Sequence, residues 1–151
     1  MLDSTDLRLL NTLQRNAQAT AQDLGDALNL SPSQAGRRRQ KLEADGYIAG
    51  YTAQLNPALL GLTVQAFVQV SMVGHFPDMV DSFHILVKYQ PEVVSVWTMT
   101  GEADYLLRVW CTDLSALNTL VHAVFLPHKA VARVQTRIVM DQIKQDAPLP
   151  V

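Results

Sequence analysis

The sequence predicts an α+β chain with two parts: an N-terminal winged helix-turn-helix domain and a C-terminal ferredoxin-like βαββαβ domain. Three observations predict it. Helical hydrophobic spacing fills the first fifty residues. The period then switches to two after Asn56-Pro57. From there strand-like and helix-like segments follow in the order β-α-β-β-α-β. At 151 residues, 48% of them hydrophobic, the chain is long enough for two small cores. The expected boundaries are 1–52, a linker at 53–62, a second domain at 63–145 and a loosely packed tail at 146–151 that holds two prolines.

The first helix is expected to start at Asp3, an N-cap residue, with Asp6 in the first turn where the helix dipole favours an acid. Leu7, Leu10, Leu13 and Ala17 recur at helical spacing with Leu9 beside them, and Asn16 is a stop signal. A short second helix fits residues 21–28, with Thr20 as cap and Leu24, Ala27 and Leu28 facing inward. The third helix has the clearest start. Ser31, Pro32 and Gln34 make a capping box with proline at the first helical position. Asp45-Gly46 ends it, because glycine accepts the left-handed conformation. Residues 47–52 alternate around Gly50, a pattern for a small wing or a strand.

In the second domain Val64, Ala66, Val68, Val70 and Met72 alternate with more polar positions, which is a strand. Pro77-Asp78 opens a helix carrying Met79, Val80, Phe83, Leu86 and Val87. Strands are expected at 93–99 and 105–111, joined through Thr100-Gly101-Glu102-Ala103-Asp104. Asp113 caps a second helix, and residues 131–140 make a fourth strand.

Charge is local rather than global. The net charge is −2, which argues against a purely electrostatic nucleic-acid binder. Residues 1–52 balance six basic against six acidic side chains, yet four of the six positives fall within 37–41. Gln34, Arg37, Arg38 and Lys41 stand at i, i+3, i+4 and i+7, one face of a helix. Ala35 and Leu42 supply the packing side, and Arg39 is expected to pair with an acid of the same module. Arginine bonds guanine bidentately and glutamine does so with adenine, while lysine and a further arginine suit phosphate. With Ser31 and Ser33 at the helix start, the face reads as a double-stranded DNA contact surface. Gly36 costs about 1 kcal/mol against alanine inside a helix, a cost that close approach to a DNA backbone or tight helix packing would justify.

Other chemistries lack their signatures. Cys111 is the single cysteine, so no intrachain disulfide or cysteine metal framework is expected. His75, His84, His122 and His128 show no ligand spacing, no nucleophile elbow or phosphate loop occurs, and Glu102 with Asp104 on a bare hairpin makes a poor acid–base pair. No cofactor and no enzyme activity are expected. No signal peptide or apolar run near the roughly 20 residues of a membrane span is visible, so the chain reads as cytoplasmic with no membrane partner.

Taken together, Leu2-Asp3, Asp6, Leu9-Leu10, Leu30-Ser31-Pro32-Ser33, Arg39, Leu42 and Gly46-Tyr47-Ile48 resemble the N-terminal domain of Lrp/AsnC (feast/famine) regulators. Pro91-Glu92-Val93, 100–107 and Thr136-Arg137 resemble that family's ligand-sensing domain. The resemblance covers nearly the whole chain, and 100–107 is its most specific segment. One departure is Ala35-Gly36, where the family more often carries a larger apolar residue first.

The resemblance implies a third helix in the DNA major groove, a homodimer formed by pairing sheets, and further assembly up to an octamer. It also implies a small effector, commonly an amino acid, that alters assembly or DNA affinity. Thr100, Gly101, Glu102, Asp104, Tyr105 and Thr136 are the expected effector residues. Gly101 lets a ligand carboxylate reach backbone N–H groups, and Asp104 suits an ammonium group, although the segment also fits an ordinary polar turn. A DNA-organising protein without an effector is the alternative. Phe67, Trp97 and Trp110 leave more apolar strand surface than two helices cover, which predicts association. A dimer would place two recognition helices about 34 Å apart, one DNA turn.

Overall fold

The computed structural model describes residues 1–151, which form two units. The first joins Met1–Gln54 to Ile143–Val151, and the second is Leu55–Gln142. The segment 146–151, expected to be loose, is held on the first unit. Asn11 Nδ2 donates to the Val151 carbonyl at 2.7 Å, and Gln14 bonds both the N–H and the carbonyl of Leu149.

Three helices build the first unit: α1 (Ser4–Arg15), α2 (Ala21–Leu28) and α3 (Pro32–Ala44). Each begins with a reciprocal capping box, Asp3 with Asp6, Thr20 with Asp23 and Ser31 with Gln34. Two orphan N–H groups per helix start are thereby satisfied. Asn29, in the left-handed conformation, ends α2. The core is Leu9, Leu13, Ala19, Leu24, Leu28, Ala35 and Leu42. It differs from the expected set: Leu7 lies outside it, Leu10 only packs against it, and Ala19 joins it. Ala17 lies beyond the end of α1 and is exposed, and Ala27 faces out while Gly25 is buried. A Cβ on Gly25 would meet the Leu30 carbonyl at 2.7 Å, so the turn into α3 packs directly on this glycine. No strand forms in 47–52; the segment runs as extended coil.

The second unit is a four-stranded antiparallel sheet with helices on one face. Its elements are β1 (Val64–Met72), α4 (Pro77–Lys88), β2 (Val93–Thr98), β3 (Tyr105–Cys111), α5 (Leu114–Thr119) and β4 (Val131–Ile138), with strand order β2-β3-β1-β4. Strict alternation in β1 sends Ala66, Val68, Val70 and Met72 into the core with Phe83, Leu107, Val109 and Phe125. Cys111 is a buried free thiol in that core. The expected linker residues 58–60 form a short 3-10 turn inside this unit, and α5 continues as a π-helical stretch over Leu120–Phe125. The wider turn sets Leu120 and Phe125, five apart, on one side, and both are buried. No helix is long and apolar enough to cross a membrane.

The other sheet face has no helix over it. Pairing of Phe67 with Arg108, and of Leu106 with Gln69 and Trp97, puts their side chains on that face. Trp97 is 44% exposed there, although the strand holding it is fully paired on one side.

Candidate nucleic-acid interface and effector pocket

Of the expected face of the third helix, Gln34, Arg37 and Lys41 are exposed and Arg38 is partly buried. At about 100° per residue, the side opposite buried Ala35 and Leu42 is centred on Ser33, Arg37, Gln40 and Ala44, with Lys41 at its margin. All five are exposed. Arg38 lies to one side. Its Nη1 bonds Asp3 at 2.7 Å and Asp6 at 2.6 Å, fastening α3 to the start of α1. The clamp holds the Asp3 carboxyl below its usual range, first through the Asp6 backbone N–H and then through Arg38. Arg38, expected as a DNA contact, thus binds two carboxylates inside the module through one nitrogen of its guanidinium.

Gln34 is likewise spent. Its Oε1 accepts from the Ser31 backbone N–H at 3.0 Å and lies 3.0 Å from Ser31 Oγ, which is 3.2 Å from Ser33 Oγ. A bidentate adenine contact needs that oxygen, so capping and base reading compete. Arg39 bonds Glu43 at 3.0 Å and the Ala19 carbonyl at 3.0 Å, in agreement with its expected internal pairing. Its guanidinium also lies over the Tyr51 ring, 4.8 Å from the centroid, while Tyr51 Oη donates to Glu43 at 2.8 Å. Arg37 and Lys41 take part in no ion pair. Gln40 was missed by the sequence reading. Its position seven after Ser33 and three after Arg37 was the available signal, obscured by the cluster of cations beside it.

Glycine at position 36 is not forced by packing. A Cβ there would meet only Ala21 Cβ at 3.8 Å, an ordinary contact. Tight helix packing is excluded as its reason.

The expected effector residues divide between the two sheet faces. Thr100 and Glu102 line a concavity of about 150 Å³ on the open face, together with Gln69, Arg133, Gln135 and Arg137. Exposed Gly101, at φ +112°, makes the turn there. Asp104 is occupied. One oxygen accepts the Met72 N–H at 2.6 Å and the other lies 2.7 Å from His75 Nε2. The Met72 N–H, with His75 adding to it, draws the Asp104 carboxyl below its usual range. Asp104 thereby braces the end of β1, and an ammonium ligand would share its oxygens with these bonds.

Tyr105 points to the helix side. It is buried against Phe83 with ring centroids 4.9 Å apart, and its hydroxyl lies 2.9 Å from His84 Nε2. Thr136 pairs with Val68 in register, so its side chain also leaves the helix-covered face. Neither lines the concavity. Arg133, Gln135 and Arg137, which do, were legible as an i, i+2, i+4 polar series on one strand.

Comparison with known proteins accords with this geometry. Residues 2–49 match the winged helix-turn-helix DNA-binding family model, and residues 65–149 match the Lrp/AsnC ligand binding domain. The leucine-responsive regulatory protein of Haemophilus influenzae is 33% identical over 144 residues, 95% of this chain and 87% of the relative. The DNA-binding transcriptional activator DecR of Escherichia coli K12 is 33% identical over 151 residues, 100% of this chain and 99% of the relative. Among solved structures, a Neisseria meningitidis transcriptional regulator in complex with L-Met superimposes with a TM-score of 0.95 at 37% identity, covering 99% of this chain and 97% of that one.

Proposed function

We propose, for a chain that belongs to the Lrp/AsnC family of transcriptional regulators, that α3 reads duplex DNA and that a small amino acid in the sheet-face concavity modulates that binding. The chain is a transcriptional regulator with a DNA-binding helix-turn-helix and a ligand-binding domain, and its family is not one of enzymes. The observation that carries the DNA reading is the unspent outward face of α3. Arg37 and Lys41 are exposed and unpaired in a module whose other α3 cations are engaged. Arg37 and Gln40 are the base-reading residues, and Ser33 and Lys41 contact phosphate.

The effector reading is supported by the charges around the concavity. Arg133 and Arg137 suit a carboxylate and Glu102 suits an ammonium group, the two ends of an amino acid. The bound L-Met in the Neisseria structure supports an effector of that class. The open sheet face with Phe67, Trp97 and Leu106 supports a homodimer; further assembly up to an octamer and a cytoplasmic location are part of the same proposal.

Selection of bound sites from a random duplex pool, followed by titration of Arg37→Ala and Lys41→Ala chains, tests the DNA reading. The expected outcome is an enriched motif, lost with Arg37→Ala. Wild-type affinity in both variants would overturn the assigned face. Calorimetry against the twenty amino acids tests the effector. Sequence-independent binding with no heat from any of them would favour the effector-free DNA organiser.

A further inference from the structure

The first unit carries an apolar groove of about 410 Å³ that the DNA reading does not use. Leu10 and Leu13 of α1 form one wall and Tyr47, Ile48 and Tyr51 another, and Leu149 and Val151, both still exposed, form its edge. We propose that this groove is a peptide-docking site whose occupant is the chain's own 148–151 segment, acting as a strap that holds residues 47–52 against α1.

Three observations identify the occupant. First, Gln14 treats Leu149 as a neighbouring strand would. Its Oε1 accepts the Leu149 N–H at 2.6 Å and its Nε2 donates to the Leu149 carbonyl at 3.2 Å. A primary amide offers one acceptor and donors in the geometry of a peptide group, so it pairs with both backbone atoms of a single residue. Second, the occupant is pre-shaped. Pro148 and Pro150 flank Leu149, and the residue before a proline is driven to extended backbone. The same prolines leave Leu149 as the one residue of 148–150 with an N–H to give, and Gln14 takes it. Little chain entropy is then lost on docking. Third, Asn11, three before Gln14 and on the same helix face, donates to the Val151 carbonyl at 2.7 Å, fixing the register of the strap.

The groove wall connects the strap to α3. Tyr51 lines the groove, donates to Glu43 and lies under Arg39, and Arg39 bonds Glu43 in turn. Tyr47 and Ile48 donate their N–H groups to the Leu42 carbonyl; no strand pairing holds the rest of 47–52, which relies on side-chain packing and on this bracket. Releasing the strap removes Leu149 and Val151 from the groove lining that they share with Tyr51, whose hydroxyl bonds Glu43.

The test uses the full-length chain with Gln14→Ala and, separately, Leu149→Asp. Both positions are exposed, so neither variant threatens the core. The readout is the rate of chymotryptic cleavage after Tyr47 and Tyr51, with amide exchange at Leu149 as a second measure. Cleavage is expected to quicken about tenfold in each variant, with no further gain in the double variant, because both delete one strap. Wild-type cleavage in both single variants would overturn the proposal. Protection that rises with protein concentration would overturn the choice of occupant, since the segment would then come from a second copy. The readout needs no DNA, so its failure is distinguishable from failure of the DNA reading.

Discussion

Arg38 Nη1 sits 2.6 Å from Asp6 Oδ1, across 32 residues of sequence, and the same nitrogen bonds Asp3 at 2.7 Å. One guanidinium therefore joins the middle of α3 to the capping box of α1. Arg37, its neighbour in sequence, is exposed and bonded to neither carboxylate.

Replacing Arg38 by alanine is expected to destabilise the first unit by on the order of 1 kcal/mol, because two carboxylates lose a half-exposed partner. Arg37→Ala should leave the melting curve unchanged and weaken DNA binding. Lys41→Ala should reduce the magnitude of the log affinity versus log salt slope by about one, the signature of one lost phosphate contact. Thermal melts beside anisotropy titrations at several salt concentrations separate the three. A destabilised Arg37→Ala chain would reverse the assignment.

Two glycines of the first unit should respond oppositely to alanine. Gly36→Ala meets only an ordinary contact with Ala21 Cβ and is expected to stabilise α3 by about 1 kcal/mol. Gly25→Ala drives a methyl to 2.7 Å from the Leu30 carbonyl and should destabilise by about 2 kcal/mol or more. Urea unfolding checks both. If Gly36→Ala is stable yet binds DNA weakly, the glycine serves close approach to the backbone of DNA.

Acid should loosen the first unit at its caps and bracket. Asp23 is held below its usual value by the Thr20 backbone N–H and hydroxyl, and Glu43 by Arg39 and then Tyr51. Asp3 is lowered as described. For a lowered carboxyl, the stabilisation is complete above the unfolded value, 3.8 for Asp and 4.5 for Glu, and is lost as pH falls through the lower folded value. Stability should fall as pH is lowered from about 4.5, and Glu43→Gln should remove part of that dependence. Urea midpoints stepped from pH 7 to pH 3 give the measurement.

In the second unit, Asp104→Ala should destabilise by about 1–3 kcal/mol, since the Met72 N–H, part-buried, loses its acceptor. Asp104→Asn keeps an acceptor oxygen and should cost less. Equal loss in the two variants would point to the charge instead of the hydrogen bond.

Phe67→Asp on the open sheet face should convert the assembly to monomers without disturbing the helix-side core, because Phe67 and the buried alternating residues leave opposite faces of β1. Light scattering reads the result. A monomeric parent chain would remove the assembly expectation altogether.

Much of this was legible in residue order because the signals are local. Ser31-Pro32 with Gln34 names a helix start wherever it occurs, and strict alternation from Val64 to Met72 names a half-buried strand. Residues 47–52 misled because alternation without a pairing partner gives no ladder, and the segment stays extended coil. The site residues were less legible, since spacing assigns a face to a side chain but not a partner. Arg38 and Arg37 look equivalent in sequence, and Asp3 and Asp6, over thirty residues earlier, decide between them.

The sequence by itself determined the two-part architecture, the helix caps, the face alternation of the strands and the extent of the capped third helix, all from periods of 3.6 and 2 and from capping chemistry. Only the tertiary structure decided which charges remain unspent on α3, that Tyr105 and Thr136 face away from the concavity holding Thr100 and Glu102, and that 148–151 docks on α1. The physical reason is that hydrogen bonds and ion pairs at 3 Å are made between residues distant in the chain. Their partners exist only once helices and strands have packed.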